Sequence, residues 1–224
     1  MAQKIFRIVG RMKGFWPHLI GHYEMHRLRL GRNRHHIDPA RSHLNRVLIG
    51  DADWATTTTN RIEQIRRSNF DRKLASLQRR QRKSDLIDAI AEGAGDPWRP
   101  TEVGPMRELI LTASRDFFAQ QPPQGQALSM EAQFEAVAID WLRQNFGDTV
   151  IHARADLDET TYHIHAVIMP VAVKEGGREM LEPSAHPFIK NYERMQNSLG
   201  VAFAALGLAR GEERCLLYTS PSPR

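Results

Sequence analysis

The 224-residue sequence predicts an α+β fold, an antiparallel sheet of about four or five strands flanked by helices. Three observations carry that reading. Short runs rich in apolar and β-branched residues recur in "KIFRIVG", "RELILTAS", "TVIHARAD" and "HIHAVIMPVAV". Longer stretches between and after them repeat apolar residues every three or four positions, the helical period. The last two strand runs are separated only by the polar turn "LDETTY", which suits a hairpin.

The elements follow in order. A short strand covers Lys4 to Gly10, and a helix is expected around "HLIGHYEMHRLRL". In the loop "GRNRHHIDPARSHLN", Asp38 stands before Pro39, which disfavours helix locally. From Thr57 to about Arg82 the chain lacks breakers and reads as a helix, with Ile62, Ile65, Leu74 and Leu77 as a thin apolar stripe under Arg and Lys. "AEGAGDPWRPTEVGP" is a connector, and Arg107 to Ser114 a buried strand. A helix from about Met130 to Phe146 buries Phe134, Val137, Ala138, Trp141 and Leu142 and stops at Gly147. After the paired strands, a final helix runs from about Ser184 to Leu206 on Phe188, Tyr192, Met195, Leu199, Ala202 and Leu206. Residues 1–206 thus form one domain, with a basic helical segment at 57–83, and residues 207–214 are a helix end or linker.

Composition narrows the function. Residues 1–83 hold 19 Lys and Arg against 6 Asp and Glu, a net of +13, while the remainder nets −8. A strongly basic half joined to an acidic half points to a polyanionic partner. No apolar run approaches the roughly 18 to 20 residues that cross a bilayer, and the N-terminus lacks a signal-peptide core, so a cytoplasmic protein is expected. The single cysteine, Cys215, lies in "CLLYTSPSPR", which continues neither the periodicity nor the charge pattern before it. Residues 215–224 therefore read as a non-native tail, the native chain is expected to continue differently, and thiol chemistry drops out.

The densest chemistry is in "DLDETTYHIH". Side chains alternate along a strand, so His163 and His165 leave one face roughly 6 to 7 Å apart along the backbone and can converge on one ion. A hairpin through "LDETTY" would bring Asp156 beside them as a third ligand, with Asp158 and Glu159 in the turn. A His-x-His pair on a strand is more often a hydrogen-bonded surface pair; the adjacent carboxylates bring the metal reading level with that one, and spacing alone leaves both open. Mixed imidazole and carboxylate donors suit Mn²⁺ or Zn²⁺, or Mg²⁺ with added waters.

These residues resemble the third motif of the Mob/Pre plasmid mobilization relaxases, and "HIH" resembles the His-hydrophobic-His signature of the wider HUH endonuclease class. Two further blocks agree: "YEMHRLR" is similar to the family's His-x-x-Arg motif at His26 and Arg29, and "DPARSHLN" to the run that follows it. The resemblance implies an HUH relaxase-like catalytic domain that nicks and rejoins one DNA strand at a plasmid transfer origin through a covalent protein–DNA intermediate. It implies a divalent metal cofactor, Mn²⁺ or Mg²⁺ with Zn²⁺ as an alternative, and single-stranded or hairpin origin DNA as partner, with the conjugation coupling machinery beyond it. His26 would be the nucleophile, Arg29 a phosphate partner, Glu159 a ligand or base, and His163, His165 and Asp156 the metal ligands. Tyr23, on the same helical face as His26, and then Tyr162 are the alternative nucleophiles.

DNA contacts are expected from Arg41, His43 and Asn45 and from the basic helix, including Arg66, Arg67, Arg72, Lys73, Arg79 and Arg80. Two departures from the family pattern stand out: Asp156 where the family has a metal-binding His, and Tyr162 where it has Pro. A rolling-circle replication initiator or transposase of the same class, a non-catalytic DNA-binding protein and a small-molecule metallohydrolase are the competing readings; the last leaves the basic half without a purpose.

Overall fold

The computed structural model describes residues 4–30, 35, 37–122 and 127–211, so the tail lies outside the described residues. Eight strands occur among them: β1 (Phe6–Phe15), β2 (Arg46–Ile49), β3 (Met106–Thr112), β4 (Val150–Asp156), β5 (His163–Ile168), β6 (Val171–Val173), β7 (Glu179–Leu181) and β8 (Leu208–Arg210). The helices are α1 (Ile20–Arg27), α2 (Trp54–Arg79), α3 (Lys83–Glu92), α4 (Arg115–Phe118), α5 (Met130–Phe146), α6 (Pro187–Lys190) and α7 (Tyr192–Ala202). Six strands make one sheet in the order β2, β4, β5, β3, β1, β8, and β6 and β7 form a separate hairpin. Every neighbouring pair in the large sheet is antiparallel except β1 with β8.

The sheet has more strands than the sequence suggested because two short edges carry no legible alternation. β2 is four residues long and partly exposed, and β8 is three. Residues 208–210, expected as a helix end or linker, pair instead with Phe6–Ile8.

Alternation then sorts the side chains. Ala153 and Ala155 of β4 and Ile164, Ala166 and Ile168 of β5 enter the larger core with Phe134, Ala138, Trp141 and Leu142 of α5 and Met195 and Leu199 of α7. Val167 enters a second core, with Ile20 and Tyr23 of α1 and Trp54, Ile62 and Ile65 of α2. β5 is therefore covered on both faces, which explains its unbroken apolar run. α5 matches its expected bounds: Ser129 accepts from the Ala132 N–H at 3.3 Å, and Gly147 ends the helix at φ +53°. Truncating Phe134, fully buried at its centre, would cost about 3–5 kcal/mol.

The other helices depart from expectation for local reasons. The basic helix stops at Arg79, and Gln81 turns in the left-handed region at φ +56° before α3 begins. The final helix is broken: His186 and Asn191 each cap a new start, accepting from Phe188 N–H at 3.2 Å and Arg194 N–H at 2.9 Å. The strand after the histidines breaks at Met169 and Pro170, where proline has no N–H for the ladder.

Candidate active site

The hairpin between β4 and β5 places Asp156 directly opposite His163 and Arg154 opposite His165. Nε2 of His163 and Nε2 of His165 lie 3.0 Å apart, and each is 3.7 Å from Oδ2 of Asp156. The other ring nitrogens decide the protons. His163 Nδ1 faces the Thr161 carbonyl at 2.8 Å, and His165 Nδ1 faces Glu108 Oε1 at 2.8 Å. Both acceptors lack a proton to give, so Nδ1 donates in each ring and the two Nε2 lone pairs face one another beside a carboxylate. That arrangement is repulsive without a cation between them. Metal bonds near 2.1 Å set ligand atoms about 3.0–3.4 Å apart; the two Nε2 atoms meet that spacing and Asp156 Oδ2, at 3.7 Å from each, stands a few tenths of an ångström outside it, so a small inward shift of the carboxylate would complete a three-donor site for a divalent ion.

Electrostatics support the set. Burial raises the Glu108 carboxyl, but hydrogen bonds to His165 and to Lys13, whose Nζ is 2.8 Å away, outweigh it and hold the group at about 2. Burial holds His165 below its ordinary value, against the Glu108 hydrogen bond, which keeps the ring neutral and able to ligate. Asp156 is buried, yet Arg154 chiefly, with Arg29, keeps it ionised.

A second group adjoins the first through Asp156. His26, Asp156 and Glu159 each present one donor atom within 4.8 Å of the others. α1 ends at Leu28, and Arg29 swings back in the left-handed region at φ +58°. Its guanidinium donates to Asp158 at 2.9 and 2.5 Å and reaches Glu159 at 3.1 Å; Ser42 also donates to Asp158 at 2.6 Å. Arg154 Nη2 lies 2.8 Å and Arg29 Nη1 3.1 Å from His26 Nδ1. Guanidinium groups only donate, so Nδ1 accepts and Nε2 bears the proton, 3.5 Å from Glu159 Oε1. Burial and then Arg154 lower the His26 pKa, so the ring is neutral.

Of the tyrosines expected as alternatives, Tyr162 turns into the larger core, whereas Tyr23 lines the same concavity as His26 and His165, its ring centroid 6.0 Å from that of His165. The Tyr162 hydroxyl donates to Glu135 Oε1 at 2.8 Å in the larger core, against Phe118 and Phe134. Tyr23 is buried with its hydroxyl 3.3 Å from His152 Nδ1 and its ring 4.4 Å beneath the Arg154 guanidinium, and burial raises its pKa. Asn45 accepts from the Leu157 N–H at 2.7 Å and so braces the turn, while Arg41 and His43 are exposed on the preceding 3-10 turn. Along α2, Arg66 pairs with Asp96 and Arg67 with Glu63, Arg72 donates to the Gly176 carbonyl and Lys73 pairs with Glu92. Arg79 and Arg80 are exposed at its end.

Sequence reasoning missed Arg154, Glu108 and Lys13. For Arg154 a signal existed: it stands two residues before Asp156 on a strand and so shares its face. Glu108 and Lys13 carried none, because strand pairing alone brings them to His165.

Two imidazoles and a carboxylate on adjacent central strands are thus gathered into a donor set that could hold a divalent ion, faced by a neutral histidine from a helix. The chain belongs to the Mob_Pre family of plasmid recombination enzymes, whose family model matches residues 9–214. Its fold is that of the MobM relaxase domain (MOBV; Mob_Pre). A Mn-bound crystal structure of that domain with plasmid pMV158 oriT DNA (22 nt and a 3′ thiophosphate) at pH 6.8 is 20% identical, at a TM-score of 0.64, over 97% of this chain and 94% of that one. A second, with 22 nt of the same DNA at pH 4.6, is 19% identical at 0.63, over 97% and 95%. A third, with 26 nt, is 18% identical at 0.56, over 97% and 95%. No curated protein matches the chain.

Proposed function

We propose that the protein is a relaxase that cleaves and rejoins one strand at a plasmid transfer origin by transesterification. The observation that carries this reading is the pairing of two bare Nε2 atoms and Asp156 Oδ2 with a neutral histidine, whose ring centroid is 6.0 Å from that of His165. Asp156, His163 and His165 would hold a divalent ion, Mn²⁺ as in the MobM structures or else Mg²⁺ or Zn²⁺, and when bound it would supply positive charge against the charge that builds on the phosphate.

The chain's own residues do the rest. As Glu159 Oε1 takes the Nε2 proton, the lone pair this frees on His26 Nε2 attacks the phosphorus, the bond from phosphorus to the 3′ oxygen breaks, and the 5′ phosphate stays on the imidazole. The Nε2 proton passes to Glu159 Oε1, and the 3′ oxygen leaves with a proton, so one proton is relayed from nitrogen to oxygen. Arg29 and Arg154 hold Nδ1 and thereby aim Nε2. Storing the phosphate on a side chain conserves the bond for rejoining, so no nucleotide cofactor is needed. Arg41, His43, Arg79 and Arg80 are available for the DNA backbone, and the conjugation coupling machinery is a further partner. We place the activity in the cytoplasm; among the described residues no helix is long and apolar enough to cross a membrane.

The test is incubation with supercoiled plasmid carrying candidate origin DNA, with and without Mn²⁺, and denaturing electrophoresis for a protein-linked strand. A metal-dependent adduct lost in His26→Ala and kept in Tyr23→Phe is expected. An adduct that persists in His26→Ala removes His26 from the role.

A further inference from the structure

A cleft of about 220 Å³ opens at the Met106 end of β3, between the connector and the β6–β7 hairpin. It is lined by Arg99, Arg107, Lys174 and Arg178 against a single carboxylate, Glu182, and Trp98 forms part of its apolar wall. Glu182 is already paired with Lys174, and no carboxylate pairs with Arg99, Arg107 or Arg178 among the described residues. Arg107 is half-buried, and its Nη1 donates only to the carbonyls of Gly104 at 2.8 Å and Met106 at 2.7 Å. Cations gathered around a concavity repel one another unless an anion enters.

The cleft adjoins the active site. Thr112 pairs with His163 and Arg107 with Ile168, so the five-step rise along β3 from Arg107 to Thr112 sets the two places about 17 Å apart. The linings of the two concavities touch. Gly14 and Phe15 line the concavity that holds Lys13, His26 and His165. A Cβ on Gly14 would stand 1.7 Å from the Val103 carbonyl oxygen, and one on Gly104 2.8 Å from that of Phe15. Val103 and Gly104 in turn line the basic cleft, so one thin wall, kept thin by two glycines, separates the two.

We propose that the basic cleft is a second contact for a single DNA strand, taking one phosphodiester among Arg99, Arg107 and Arg178 and the adjoining base against Trp98, a few nucleotides from the scissile phosphate. The volume is below the roughly 300–1,000 Å³ of drug-sized sites, which suits one nucleotide and not a duplex. Guanidinium groups over a phosphate beside an aromatic wall recognise a strand without reading its sequence. The assignment rests on the relaxase reading for the strand's other anchor.

The test uses the full chain and fluorescein-labelled oligo-dT of increasing length in anisotropy titrations at several salt concentrations. Wild type should show a step in affinity once the oligomer spans both sites. Arg99→Glu/Arg178→Glu, both exposed positions, should abolish the step, bind the longest oligomer about tenfold more weakly and flatten the salt slope by about 0.7 for each phosphate no longer neutralised, with the shortest oligomer unaffected. His163→Ala/His165→Ala should keep the step. Equal binding of all lengths by the charge-reversed and wild-type proteins overturns the proposal, as does competition by inorganic phosphate without any length step, which would mark a small-anion site. A failed origin nick with the step intact would sink the relaxase reading and leave the cleft.

Discussion

Arg154 donates to His26 Nδ1 from 2.8 Å through Nη2 while its Nε lies 3.0 and 3.1 Å from the two carboxylate oxygens of Asp156. One buried guanidinium thus bridges a proposed metal ligand and the proposed nucleophile. Arg154→Met should leave Asp156 buried without its main counter-charge, costing about 3 kcal/mol of stability. It should also lower single-turnover nicking about 100-fold with little change in KM, because the aim of His26 and the charge on Asp156 are disturbed while the exposed cations available to the DNA backbone are not. Arg154→Lys should recover part of both; denaturant melts and quenched-flow nicking measure them.

Glu108 orients His165 from behind. Glu108→Gln keeps the shape but weakens the ring's partner, and the expected result is a 10- to 100-fold weaker Mn²⁺ affinity by calorimetry. Unchanged affinity would mean that His165 is oriented by packing alone.

Tyr162 distinguishes neighbourhood in sequence from neighbourhood in space. It precedes His163 but donates to Glu135, which also pairs with Arg46 at 2.5 Å. Tyr162→Phe should cost about 1 kcal/mol of stability and leave nicking at wild-type rate. Disappearance of the adduct would restore Tyr162 as a nucleophile.

His152 gives the acid limb of stability. It is fully buried, stacked on Trp54 at 4.5 Å, and burial followed by Arg154 lowers its pKa to about 4. The unfolded chain binds a proton near pH 6.5 and the folded chain does not, so stability is complete above that value and drains as pH falls from about 6.5 to 4. The loss should approach roughly 3 kcal/mol. Thermal melts from pH 8 to 4 should show this limb in wild type and a flatter one in His152→Phe; parallel curves would refute the attribution.

Local sequence was enough to establish the α+β class, α5 with both its caps, the hairpin carrying Asp156, His163 and His165, and the opposite charge of the two halves of the chain. Each rests on short-range physics: strand alternation, helical period, capping and local charge. Packing in three dimensions was needed to show that Tyr162 faces the larger core, that Glu108 and Lys13 stand behind His165, and that Arg154 joins Asp156 to His26. It also showed that much of the charge on α2 is spent within the fold, on Glu63, Glu92, Asp96 and the Gly176 carbonyl. Those relationships depend on strand order and register, set by the burial of two whole faces of the sheet and by contacts such as Arg154 with His26, 128 residues apart in the chain, which no local pattern encodes.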